Sequence, residues 1–115
     1  MIVLDSSALV KLVLEEPGSA QARKAVMEAV KGGEKILIPD IALAESLNAL
    51  WKHHIIIEDL TLNQLESSTE DLIAVWKNLT VHPTAQIAKP ALKIALENKM
   101  TIYDALYLAL AKKER

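Results

Sequence analysis

Three widely separated carboxylates, Asp5, Glu45 and Asp104, are the strongest candidates for chemistry in this 115-residue sequence. If they converge, repulsion at about 4 Å costs roughly 1–4 kcal/mol per pair unless a proton or a cation neutralises them. A site with only oxygen ligands favours a hard ion, Mg²⁺ or Mn²⁺. Such an ion can hold a phosphate and activate water. Converging carboxylates would therefore predict metal-assisted phosphodiester hydrolysis.

Each carboxylate also has an ordinary structural interpretation. Asp5 stands where a helix begins, and because Asp is a favoured N-cap, capping explains it as well as function does. Asp104 can likewise complete a cap with Thr101, although a charge on a buried helix is costly unless it is paired or bound to metal. Glu45 shares a helix face with Asn48 and Lys52, and such a stripe is typical of a solvent-exposed surface. Residue types alone leave these alternatives open.

Composition and motifs exclude several other kinds of site. The sequence has no cysteine, which rules out disulfides, thiolate zinc sites and cysteine nucleophiles. It also lacks the GxGxxG, GxxxxGK[ST] and GxSxG motifs of dinucleotide, phosphate-loop and hydrolase sites. The net charge is −2, so a nucleic-acid ligand would require a local basic patch. The candidate phosphate contacts are Lys11, Lys52 and Lys112–Lys113.

The elements that must position the carboxylates alternate between strands and helices. Continuous apolar runs predict buried strands at 2–4, 36–38 and 79–81. Periodicity and capping residues predict helices over 7–14, 19–31, 41–54, 61–76, 84–98 and 102–113. We expect Ser19 and Asp40 to cap helices, and Pro90 to kink or restart one. Leu43, Leu47, Leu50 and Trp51 are predicted to share one apolar helix face.

This alternation predicts an α/β fold in which a parallel sheet is flanked by helices on both faces. A length of 115 residues suits one domain, residues 1–115. No run approaches the roughly 20 apolar residues of a membrane-spanning helix, and the amino terminus lacks the features of a signal peptide. The absence of cysteine fits a reducing cytosol.

Three segments of the sequence resemble the PIN-domain family, specifically the VapC-type ribonuclease toxins of toxin–antitoxin pairs. They are the opening VLDSSALVK at 3–11, the stretch 39–49 with Glu45 and Asn48, and TIYDALYLA at 101–109. The last segment is the most distinctive, and the order and spacing extend the resemblance over essentially the whole chain. It implies a three-layer, Rossmann-like fold.

The resemblance also implies a function. It suggests an endoribonuclease dependent on Mg²⁺ or Mn²⁺, in which Asp5, Glu45 and Asp104 are the catalytic, metal-binding acids. Ser6, Ser7 and Asn48 match supporting polar positions. The expected partners are an RNA substrate, a cognate antitoxin and a second copy in a homodimer, and the expected location is the cytoplasm.

The sequence departs from the family pattern at its end. Family members continue from the last helix into a strand with a Thr-x-Asp motif, whereas this sequence stops one turn after the nearly all-apolar helix at 102–113. We therefore expect a domain truncated at its C-terminus, lacking the last strand or strands, with Ile2–Leu4 at an exposed sheet edge. Two alternatives follow: a non-catalytic PIN-fold module that binds antitoxin or RNA, or a partial domain completed by another chain.

Overall fold

The computed structural model describes residues 1–114, so Arg115, the last residue of the predicted domain, lies outside it. Within the described residues, strands and helices alternate along the chain. The strands are β1 (Ile2–Val3), β2 (Ile36–Pro39) and β3 (Thr80–His82). The helices are α1 (Ser6–Val13), α2 (Ser19–Lys31), α3 (Ile41–Ile55), α4 (Leu62–Trp76), α5 (Thr84–Asn98) and α6 (Ile102–Lys113).

The three strands form a parallel sheet in the order β1-β2-β3. All of β2 is buried, as its continuous apolar sequence predicted. The prediction of full burial is wrong for the outer strands, because β1 is only partly buried and Thr80 and Val81 of β3 are exposed. In the described sheet β1 pairs with β2 alone, which agrees with the predicted edge at residues 2–4.

Helices cover both faces of the sheet, so the predicted three-layer α/β fold is confirmed. Ile36 and Ile38 point to a core shared with α1, α2, α3 and α4. Leu37, with the opposite orientation, packs against α5 and α6. This alternation follows from the two-residue period of a strand, which sends neighbouring side chains to opposite faces.

Two predicted helix caps are wrong in an informative way. Asp40 precedes α3 but makes no side-chain cap bond to it. Its carboxylate instead accepts hydrogen bonds from the backbone N–H and the hydroxyl of Thr84, the first residue of α5. Ser19 opens α2 without capping it, and its hydroxyl donates to the carbonyl of Leu14 at the end of α1. The capping boxes predicted at Thr61 and Thr101 hold, since each hydroxyl accepts an N–H three residues later.

Two predictions about helix interiors are also corrected. A restart of the helix at Pro90 is wrong, because α5 passes through Pro90 as one continuous helix. Pro90 is exposed, so water can satisfy the carbonyl that loses its amide partner. The apolar face predicted for α3 is partly wrong: Leu50 is buried, but Leu47 and Trp51 are 39% and 47% exposed. The buried face instead includes Ala42 and Ser46, whose small side chains allow close packing.

The topology brings the starts of three helices to one edge of the sheet. Because the strands are parallel, their carboxyl ends lie together, and α1, α3 and α5 follow β1, β2 and β3 there within three residues. Ligands of such sheets bind beyond these carboxyl ends. This edge therefore holds Asp5. No helix within residues 1–114 combines the length and the apolar character needed to cross a membrane.

Candidate active site

The three predicted carboxylates line one cavity of about 370 Å³. Asp5 reaches it from the start of α1, Glu45 from the second turn of α3 and Asp104 from the first turn of α6. The remaining wall is formed by Ser6, Ser7, Met100, Tyr107 and Leu108. This volume lies in the range of small-ligand sites, roughly 300–1,000 Å³. Residues separated by 40 and 59 positions in the sequence are thus brought to one site.

Asp5 has both of the roles that its sequence position suggested. Its Oδ1 accepts the N–H of Ala8 at 2.8 Å, and its backbone is extended, as expected for an N-cap. The carboxylate is nevertheless exposed and belongs to the cavity wall. Ser6 and Ser7 follow in the first turn of α1 and line the same cavity. The cap fixes the direction of the Asp5 side chain and leaves Oδ2 outside that bond.

Glu45 is partly buried and is held by a tyrosine from another helix. The Tyr107 hydroxyl donates a hydrogen bond to Glu45 Oε1 at 2.5 Å, which links α6 to α3. Burial raises the pKa of Tyr107 well above its ordinary value, and the hydrogen bond to Glu45 raises it further, against a smaller lowering by Ser6. The phenol therefore remains a protonated donor over a wide pH range. It engages one of the two Glu45 oxygens and orients the carboxylate.

Asp104 is the least constrained of the three acids. Its backbone N–H donates to the Thr101 hydroxyl at 3.2 Å, so Thr101 supplies the cap and the Asp104 carboxylate takes no part in it. The carboxylate is exposed, although Ala105 and Leu106, which follow it, are buried. The expected cost of burying this charge therefore does not arise at the first turn of α6.

The carboxylates share a cavity without being gathered around one point. Within residues 1–114, no three acidic or histidine side chains lie close enough together to hold a single metal ion. Like charges in one cavity repel one another, which favours separated conformations until a cation neutralises them. Asp5 and Asp104 are exposed, so their side chains can rotate without disturbing the core. The donor set, carboxylates and hydroxyls, has the chemistry that hard divalent ions prefer.

The other polar candidates lie outside this cavity. Asn48 is exposed on α3 and is absent from the cavity wall, as is Lys52 one turn further on. Lys112 lies eight residues beyond Asp104 in α6, roughly 12 Å along the helix axis. His53 contacts Asp59 through Nδ1 at 2.8 Å, and His54 contacts the carbonyl of Leu60. The supporting role of Asn48 stays a prediction.

Sequence reasoning missed Tyr107, Met100 and Leu108 in the cavity wall. Tyr107 lies three residues after Asp104, and residues at this spacing share a helix face. That spacing could have identified the tyrosine as a neighbour of the site. Its bond to Glu45 joins residues 62 positions apart, and no local pattern predicts such a contact.

Comparison with known proteins gives two matches. The profile of the PIN domain family matches residues 2–115. The chain is also 38% identical over 115 residues to ribonuclease VapC3 from Pyrobaculum aerophilum, in an alignment that covers 97% of this chain and 82% of that protein. Both matches include all three segments on which the sequence resemblance rests.

Proposed function

The chain belongs to the PIN-domain family as a VapC-type member, and from this premise we propose that it is a divalent-metal-dependent endoribonuclease. It would hydrolyse phosphodiester bonds in RNA as the toxin of a toxin–antitoxin pair. The observation that carries the proposal is the single cavity lined by Asp5, Glu45 and Asp104. Two serine hydroxyls and a tyrosine surround these acids, and no other catalytic motif competes for the assignment in the sequence.

The proposed ligands of the ion are the carboxylates of Asp5, Glu45 and Asp104. A bound Mg²⁺ or Mn²⁺ supplies Lewis acidity to the phosphate and to the attacking water. Asp5 and Asp104 turn toward the ion from exposed positions, whereas Glu45 is already oriented by Tyr107. The choice between Mg²⁺ and Mn²⁺ is left to experiment, because both accept oxygen ligands of this kind.

The neighbouring hydroxyls are proposed to position the substrate. Ser6 and Ser7 lie beside Asp5 in the first turn of α1 and can donate hydrogen bonds to phosphate oxygens. The first N–H groups of α1 add favourable partial positive charge at the same place. Apolar atoms of Met100 and Leu108 form part of the opposite wall and reduce access of bulk water. These contacts hold the phosphate near the acids.

A protein partner is proposed for the exposed apolar side of α3. Leu47, Trp51 and Ile55 recur at four-residue spacing and are 39%, 47% and 51% exposed. Exposed apolar stripes of this kind mark interaction surfaces. The family resemblance supplies two occupants, a cognate antitoxin and a second copy of the chain. A Trp51→Glu variant examined by light scattering, with and without the antitoxin, would distinguish them by which association it weakens.

The proposed function is tested by cleavage of mixed single-stranded RNA in Mg²⁺ or Mn²⁺. The wild-type chain should cut, and chelation of the metal should stop the reaction. Asp104→Asn should lose cleavage because a proposed ligand is removed, whereas Asp71→Asn, an exposed acid on α4 outside the cavity, should cut at the wild-type rate. Equal rates for wild type and Asp104→Asn, in preparations free of contaminating nuclease, would refute the assignment.

The separation of the carboxylates favours one alternative, a module of the same fold that binds RNA or antitoxin without cutting RNA. Such a module needs no ion. It would bind single-stranded RNA with unchanged affinity after chelation of divalent metal, and it would leave the RNA intact. Metal-dependent cleavage that disappears in Asp104→Asn would exclude it.

A further inference from the structure

A second cavity, of about 260 Å³, continues from the candidate active site between α1 and α3. Ser6 and Ser7 line both cavities, so the two form one groove along the first turns of α1. The further walls of the second cavity are Val10, Glu16, Ala49 and His53. An RNA strand cut at the acidic cavity must extend beyond it in at least one direction. This groove offers that direction.

A lysine is immobilised beside the junction of the two cavities. Lys11 Nζ lies 3.3 Å from Ser7 Oγ, to which it donates, and 3.4 Å from Glu16 Oε1. The Lys11 side chain is only 28% exposed. Lysines are mostly exposed, and fixing one costs up to about 2 kcal/mol of side-chain entropy. A partly exposed ion pair offsets little of that cost.

The backbone next to this lysine makes room for its stem. Gly18 has φ +94°, and a Cβ added there would lie 3.1 Å from Lys11 Cε and 3.4 Å from Cδ. Glycine is therefore suited to this position both by its positive φ and by the space that Lys11 occupies. Gly18, Glu16 and Ser7 together hold the ammonium at the edge of the groove.

We propose that Lys11 binds a phosphate of the RNA strand next to the phosphate that is cut, so that the second cavity receives the adjoining nucleotide. This inference rests on the proposed ribonuclease function. A lysine ammonium has three N–H donors, and Ser7 and Glu16 engage two of them, which leaves one for a phosphate oxygen. The acids of the first cavity repel the RNA backbone unless cations offset them, and Lys11 supplies such a charge directly beside Ser7.

The proposal is tested by RNA binding in an Asp5→Asn background, which is expected not to cut. Fluorescence anisotropy of a short labelled single-stranded RNA is measured across a range of KCl concentrations. Lys11→Met should weaken binding severalfold and reduce the slope of log K against log salt by about 0.7, the value for one phosphate contact in single-stranded nucleic acid. Lys11→Arg should restore the slope. Lys52→Met, which removes an exposed lysine outside the groove, should leave affinity and slope at the background values.

The outcomes separate this proposal from the proposed function. An unchanged salt slope in Lys11→Met, an equal loss in Lys52→Met, or no RNA binding by the background chain would overturn the role of Lys11, even if the wild type cuts RNA. A slope that depends on Lys11 in a chain whose wild type does not cut RNA would support the phosphate contact and refute the nuclease. Thermal unfolding of each variant confirms that the measurements are made on folded protein.

Discussion

Asp5 and Asp40 occupy equivalent places in the topology but are used differently. Each follows a strand at the same edge of the sheet and precedes a helix. Both oxygens of Asp40 accept hydrogen bonds from Thr84, at 2.5 Å from its hydroxyl and 3.2 Å from its N–H. Asp5 uses one oxygen to cap its own helix, at 2.8 Å from the N–H of Ala8.

The difference lies in what surrounds each carboxylate. Asp5 faces a cavity that also receives acids from α3 and α6, whereas Asp40 joins the end of β2 to the start of α5. A carboxylate at the carboxyl edge of a parallel sheet is therefore not sufficient evidence of chemistry. An oxygen left outside the capping bonds, a cavity and further acids in its wall distinguish a candidate site from a structural cap.

The largest predicted contrast between the two residues is in RNA cleavage. Asp5→Asn should reduce the rate by about 100-fold or more, because even residues outside a metal's ligand shell change metal affinity or activity roughly 10–100-fold. Asn is as good an N-cap as Asp, so the start of α1 should be preserved. Asp40→Asn should cut RNA within about threefold of the wild-type rate, since Asp40 does not line the cavity. Initial rates at saturating Mg²⁺ measure both.

The comparison would fail if the two variants behaved alike. Equal loss of activity would mean that folding of this edge, and not the Asp5 carboxylate, limits the reaction. Full activity in Asp5→Asn would remove Asp5 from the mechanism altogether.

The hydrogen bonds that hold the acids give a smaller contrast. Tyr107→Phe removes the donor to Glu45, which is partly buried, and should weaken Mn²⁺ binding about 10-fold because the ligand loses its orientation. Thr84→Val removes the hydroxyl that donates to Asp40 and should leave Mn²⁺ affinity unchanged. Calorimetric titration measures both variants. Tighter binding by Tyr107→Phe would indicate that the tyrosine competes with the ion instead of positioning its ligand.

The smallest contrast is in stability, and here the order reverses. Asp40→Ala removes both bonds to Thr84 and should lower the free energy of unfolding by about 1–2 kcal/mol, or about 4 °C in Tm per kcal/mol. Asp5→Asn should leave Tm unchanged or slightly raised, since the cap persists and repulsion from the other acids falls. Thermal unfolding by circular dichroism tests this. A larger loss of stability in Asp5→Asn than in Asp40→Ala would assign Asp5 a mainly structural role.

Local sequence patterns predicted the elements and the acids well, because both depend on short-range signals. Apolar runs indicated the strands, and capping residues indicated most of the helix starts. The three carboxylates could be selected because each lies at or near the start of a helix, and the resemblance to PIN-domain sequences joined them.

What the sequence did not reveal depends on long-range contacts. The bond between Asp40 and Thr84 spans 44 residues, so the local pattern assigned Asp40 to the wrong helix. The buried face of α3 was misread because the pattern favours large apolar residues, whereas Ala42 and Ser46 are fully buried. The distances among the acids depend on side-chain conformation, which no spacing in the sequence determines.

The central claim, that Asp5, Glu45 and Asp104 form one metal site while Asp40 does not contribute, is tested most directly by Mn²⁺ binding to the folded chain. Calorimetric titration should detect binding by the wild type and by Asp40→Asn with the same affinity. It should detect strongly weakened binding by Asp5→Asn and by Asp104→Asn. No binding by the folded wild type, or wild-type affinity in both Asp5→Asn and Asp104→Asn, would contradict the account.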